Sequence, residues 1–107
     1  MNESGWWLIT NCHGGAHVGQ GSSIGPARAG VRERIAEAFM AEGLSRSAAM
    51  RAASSYRLRL LAGPMPREEA RACLAAWENE DWERALRHAR PEARRSYGLS
   101  PRQDGKT

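Results

Sequence analysis

From Pro26 onward, proline and glycine cut the chain into short pieces, and this punctuation limits the fold more than any other feature. A proline inside a helix removes a hydrogen bond and clashes with the preceding turn, so no helix can run through Gly63–Pro64 or past Pro91. Pro26 and Pro66 instead sit where proline is favoured, at the opening of a helix. The segment "PARAGVRERIAEAFMAE" spaces Val31, Ile35, Ala38 and Phe39 along one helical face. Gly43 closes that helix in the left-handed position, and Ser45 caps the next. "SRSAAMRAASSYRLRLLA" carries Ala49, Ala53, Tyr56 and Leu60 on one stripe, which predicts a second helix stopped by Gly63 and Pro64. A third helix from Pro66 has Glu68 and Glu69 at the positive end of its dipole, with Ala70, Cys73, Leu74 and Trp77 as its apolar face. The pattern slips at Asn79 and resumes with Trp82, Ala85, Leu86 and Ala89, so a kink or a separate helix is expected there. "PEARRSYG" adds one further turn.

Ahead of Pro26 the periodicity is lost. "GWWLIT", Gly5 to Thr10, reads as a short strand or an anchoring arm. "NCHGGAHVGQGSSIGP", Asn11 to Pro26, has five glycines and no period. The expected fold is therefore mainly α: three to four short helices with a short N-terminal strand or extended arm and a glycine-rich loop. Residues 1–25 form the arm and loop, 26–98 the helical domain and 99–107 a flexible tail, within a single domain of 107 residues.

Leu, Ile, Val and Phe together number fourteen, too few for a comfortable self-sufficient core, and four tryptophans compensate in part. A thin core of this kind is expected to complete itself against a second copy, making a homodimer, or against a partner. The longest run of large apolar residues is Trp6 to Ile9, far short of a membrane span. The N-terminus lacks the basic and apolar parts of a signal peptide. A cytoplasmic protein is expected, with no membrane partner and with Cys12 and Cys73 reduced.

The glycine stretch fails as a phosphate cradle. Counting from Gly14, Gly19 is in register, but Gln20 and Gly21 occupy the lysine and hydroxyl positions of the phosphate-binding loop. A dinucleotide fingerprint starting at Gly19 fails at Ile24, where its third glycine is required. As metal ligands, Cys12, His13 and His17 are poorly spaced even with Cys73 or His88 added, because zinc sites favour two close pairs. Ser22 or Ser23 with His17 resembles a nucleophile and base, yet no third group is placed to orient the histidine. The acids Glu78, Glu80, Asp81 and Glu83 read as the solvated side of a helix. The expectation is a non-enzymatic protein with no cofactor and no bound metal.

Charge points to a polyanion. Residues 43–67 carry Arg46, Arg51, Arg57, Arg59 and Arg67 with no acid, and a second basic block follows the acidic segment 68–83. Concentrated arginine attracts nucleic acid through counterion release. Within the first block, G-L-S-R-S-A-A-M-R-A-A from Gly43 resembles the turn and second helix of the ribbon-helix-helix DNA-binding family, to which the Arc and MetJ repressors belong. Gly43, Ser45, Arg46, Ser47, Met50, Arg51 and Ala53 carry the resemblance, with Ile35 and Phe39 as the apolar face of the preceding helix. The resemblance implies an intertwined dimer whose paired strands enter the major groove and whose second helix anchors a phosphate at its amide end. It covers Arg32 to Ala53 and implies DNA contacts by Ser45, Arg46, Ser47 and Arg51, with Arg57 and Arg59 adding charge. The family's strand would fall on "GQGSSIG", leaving Gln20 and Ser22 to touch bases, although the glycine stretch reads better as a tether joining the tryptophan arm to the helical body. The expected function is a small DNA-binding protein, a dimeric transcriptional repressor or accessory factor. The alternative is a helical protein-binding module or inhibitor that covers a surface of a larger protein or nucleoprotein complex through Trp6, Trp7 and Tyr97, residue types that dominate interfaces.

Overall fold

The computed structural model describes residues 5–101. Three antiparallel strands form one sheet in the order β2-β1-β3, with β1 at Trp6–Asn11, β2 at Ala16–Gln20 and β3 at Leu58–Met65. The helices are α1 (Ile24–Ala41), α2 (Arg46–Ser54), α3 (Arg67–Glu78), α4 (Trp82–Ala85) and α5 (Pro91–Ser96). Helices α1 and α2 pack on one face of the sheet, and α3 to α5 pack on the other. The fold is thus a mixed α/β sandwich of three layers, which corrects the expected mainly α, all-helical architecture. The outer part of the expected tail, 102–107, lies outside the described residues.

Two segments account for the correction. The first is the glycine stretch, which is the return of a β-hairpin. Asn11 turns the chain: its Oδ1 accepts from the backbone N–H of His13 at 2.7 Å and of Gly15 at 3.2 Å. An asparagine side chain that substitutes for a backbone acceptor in this way stabilises a tight turn. Strand β2 then pairs along β1, Leu8 opposite Val18 and Ile9 opposite His17. Gly19 serves packing, because a Cβ there would lie 2.7 Å from the Ala27 carbonyl oxygen and 3.0 Å from Val31 Cγ2. The backbone of α1 therefore crosses β2 at a distance that only glycine permits.

The second segment is Tyr56 to Ala62, expected at the end of a long second helix. Helix α2 stops at Ser54. Arg32 Nη1, reaching from α1, donates to the carbonyls of Ala53 at 2.7 Å and Tyr56 at 3.0 Å, which ties the end of α2 and the residue after it to α1. Beyond that end, apolar Tyr56, Leu58 and Leu60 alternate with Arg57 and Arg59, and period two is the pattern of a strand. Pro64 is tolerated because β3 is an edge strand, covered on its far side by a single bridge between Ala62 and Ala89.

Helix punctuation follows simple residue chemistry. Gly43, at φ +110°, ends α1 in the left-handed region, and Ser45 Oγ caps α2 by accepting from Ala48 N–H. Asn79 closes α3, and Asp81 caps α4 through Arg84 N–H. Strand β1 feeds two cores by alternation: Trp6 and Leu8 face the α3 layer, Trp7 and Ile9 the α1 layer. Arg94 is 1% exposed and ties down the end of the chain, donating to the carbonyls of Ser100 at 2.6 Å and Leu86 at 2.8 Å and to Glu83. Among the described residues no helix is long and apolar enough to cross a membrane.

Candidate functional site

At one end of the sheet the β1–β2 turn meets the lead into β3, and Asn11 lies between two depressions there. The first faces α1, has a volume of about 320 Å³, and is lined by His17, Arg34, Phe39, Glu42 and Tyr56. Asn11 determines what His17 can do. Since Asn11 Oδ1 already accepts two backbone N–H groups, its Nδ2 must be the atom 2.9 Å from His17 Nε2, and an amide nitrogen only donates. His17 is therefore neutral, with its proton on Nδ1 and its lone pair engaged. Burial lowers its pKa, and the nearby Arg34 lowers it further. A histidine with an occupied lone pair makes a poor general base, so it cannot activate Ser22 or Ser23 from this position. Arg34 caps the edge of β2 by donating to the Val18 carbonyl.

The second depression faces the α3 layer and has a volume of about 410 Å³. Thr10 and Cys12 come from the hairpin, Arg57 and Arg59 from the start of β3, Trp77 from α3, and Tyr97 from the end of α5. Among the described residues no carboxylate lines it. Arg57 and Arg59 are exposed and two positions apart, which sets them on one side of an extended chain. Tyr97 is half-buried, and burial raises its pKa, so the groove holds a neutral phenol beside two guanidinium groups. Trp77 meets the Tyr97 ring edge-on at 5.4 Å, and Trp82 lies 5.5 Å from it.

The chain matches no protein-family model, no curated protein and no solved structure. Its own geometry has to carry the functional reading.

The residues expected to contact DNA fall into separate places. Gln20 and Ser22 are exposed where β2 runs into α1, and the segment 19–25 is the end of a strand already paired to β1, a bend, and the first turn of α1. Ser45, Arg46 and Ser47 are exposed beyond the far end of α1, about 27 Å along an eighteen-residue helix. Arg51 is exposed on α2, and Arg57 and Arg59 follow in the groove. Of the three aromatic residues expected to bind a partner, Tyr97 joins the groove while Trp6 and Trp7 are half-buried on opposite faces of β1. Trp7 Nε1 donates to the Gly21 carbonyl at 3.0 Å, and Trp6 lies under the Arg67 guanidinium.

Cys12 is exposed at the turn, His13 packs against Tyr56 and Cys73 is buried in the opposite layer. Among the described residues no three of His, Cys, Asp or Glu gather into a metal-holding group. Burial and the neighbouring Glu69 push the Cys73 thiol pKa up, which leaves it protonated and inert at neutral pH. Glu69 has other work: Arg84 holds it at 2.6 and 3.0 Å and His88 at 2.8 Å, joining α3 to the α4 region. The roles of Asn11, Arg34 and Trp77 were not legible in the sequence. The alternation "YRLRL" was a usable signal for Arg57 and Arg59 lying side by side.

Proposed function

We propose that the protein binds nucleic acid, without catalysing a reaction and without a cofactor, through arginines exposed on α2 and around the start of β3. One observation carries this reading: Arg46, Arg51, Arg57 and Arg59 are exposed and make no ion pair among the described residues, where the ion pairs use Arg84, His88 and Arg94. Cations kept apart from carboxylates are available to phosphate, and releasing the counterions around that phosphate favours binding. The N-terminus of α2 offers a further contact for phosphate, since the backbone N–H groups of Arg46 and Ser47 belong to a first helical turn. Duplex DNA is the polyanion implied by the ribbon-helix-helix resemblance, with the protein acting as a dimeric repressor or accessory factor in the cytoplasm.

Fluorescence anisotropy with labelled duplex DNA at a series of salt concentrations tests the reading. Affinity is expected to fall steeply with salt, and Arg57→Gln with Arg59→Gln is expected to reduce the logarithmic slope by about 2. No binding at low salt, or binding indifferent to salt, rules the reading out. A second reading, attachment to a larger protein, draws support from Met40 and Leu44, which are 36% and 38% exposed beside each other at the α1–α2 turn. It expects salt-insensitive binding to a partner, weakened by Leu44→Glu.

A further inference from the structure

We infer that the groove of Arg57, Arg59 and Tyr97 takes an unpaired nucleotide, with its base stacked on the Tyr97 ring and its phosphate held by the two arginines. This inference rests on the nucleic-acid reading and narrows it to single strands. Size is the first reason. A groove of about 410 Å³ lies in the range of pockets that enclose small molecules, so it can receive one nucleotide, while a double helix could offer it only a backbone edge.

Ring chemistry is the second reason. In a duplex every base face is covered by its neighbours, and an aromatic side chain at the protein surface has no ring to stack on. An unpaired base offers that face, and stacking on an aromatic side chain is the usual way single strands are held. Tyr97 suits the task because it does not have to be ordered first: Trp77 and Trp82 hold it at 5.4 and 5.5 Å, and they hold each other edge-to-face at 4.9 Å. Charge is the third reason. The phosphate that accompanies the base meets Arg57 and Arg59 in a groove that no carboxylate lines among the described residues, with Thr10 and Cys12 of the hairpin completing the lining.

The experiment compares labelled single strands of thymidine or uridine, about ten nucleotides long, with a duplex of the same length at one salt concentration. Tighter binding of a single strand is expected. Tyr97→Leu should weaken the single strand about tenfold and leave duplex affinity and the salt slope unchanged, while Tyr97→Phe keeps full affinity. Arg57→Gln should weaken both probes. Photocrosslinking of a bromouridine strand to the unaltered protein gives a readout that does not depend on any variant folding, and the adduct is expected on Tyr97. Duplex bound as tightly as single strand, or an adduct confined to other residues, overturns the inference and leaves the nucleic-acid reading standing. Failure of all the probes to bind at low salt removes both.

Discussion

Alternate residues of one strand look into two different interiors. Leu8 faces rings, a thiol and leucines contributed by β3 and the α3–α5 layer; Ile9, its neighbour, faces Ala27, Val31, Ala36, Ala49 and Ala53 of the α1–α2 layer. In the alanine-lined interior backbones approach closely, as Gly19 does against Ala27. The aromatic interior is instead held together by polar ties: Arg94 to two carbonyls, and Glu69 to Arg84 and His88. A chain short of large aliphatic residues has built two half-cores by different means, close contact on one side and aromatic bulk with side-chain hydrogen bonds on the other. The groove lies at the aromatic side, where rings are already fixed for structural reasons and two of them line a depression.

The largest expected loss breaks the aromatic side. Arg94→Met preserves bulk but removes the hydrogen bonds that the guanidinium gives to the Leu86 and Ser100 carbonyls; bonds from a charged donor contribute about 1.5–3 kcal/mol each, so a loss of about 2–5 kcal/mol is expected in urea unfolding. The ion pair with Glu83 contributes little, because the Glu83 side chain is 62% exposed. Glu83→Gln should therefore cost less than about 1 kcal/mol. Equal effects from the two variants would mean that the ion pair, not the carbonyl ties, secures Arg94.

Gly19→Ala breaks the alanine side. The new methyl would meet the Ala27 carbonyl oxygen, part of a helix backbone that cannot rotate away, and overpacking of this kind costs about 1–3 kcal/mol. Leu8 and Ile9 are both fully buried and belong to the same strand, so the two layers should unfold as one unit. Emission from Trp77 and Trp82 in the opposite layer should report the same shifted midpoint as far-UV circular dichroism. A midpoint for tryptophan emission left unshifted would show that the layers melt separately.

The legible parts of the fold were those decided by single residues. Gly43, Ser45 and Asn79 each stop or start a helix by their own conformational or hydrogen-bonding chemistry, and each does so where its position in the chain implies; the helix expected to run to Pro91 ends instead at Ala85, and Pro91 opens α5. The missed parts were decided by neighbours distant in sequence. Strand β2 has one β-branched residue, Val18, and its Gly19 reads as a breaker until the α1 backbone is seen lying against it. Tyr56 and Leu60 fit the stripe of α2 as well as the alternation of β3. What separates the two readings is Arg32, thirty-two residues into the chain, binding the carbonyls at the end of α2. The candidate site divides the same way. Arg57 and Arg59 were visible as charge, whereas Tyr97 and Trp77 reach them only because α3 and α5 pack on the other face of β1.

The smallest expected effect separates the two layers by pH. Glu69 is held charged: hydrogen bonds from Arg84 first and His88 second lower its pKa from 4.5 to about 2. Because the unfolded chain takes up this proton first, the stabilisation is complete above pH 4.5 and is lost as pH falls toward about 2. Partial exposure screens the interaction, so about 1–2 kcal/mol is at stake. His17 is held neutral, with its pKa below 6.5 through burial and then Arg34. Its unfolded form also protonates first, so acidification through pH 6.5 already works against the folded α1 side, two pH units before Glu69 responds. Asn11→Asp should remove the earlier phase, since a carboxylate still accepts from His13 and Gly15 but now accepts from an imidazolium as well, and it should move the His17 midpoint upward in an NMR titration. Glu69→Gln should remove the later phase and leave the earlier one. If Asn11→Asp leaves the His17 midpoint where it was, the amide is not what engages the Nε2 lone pair, and the first depression then has a histidine free to take up a proton.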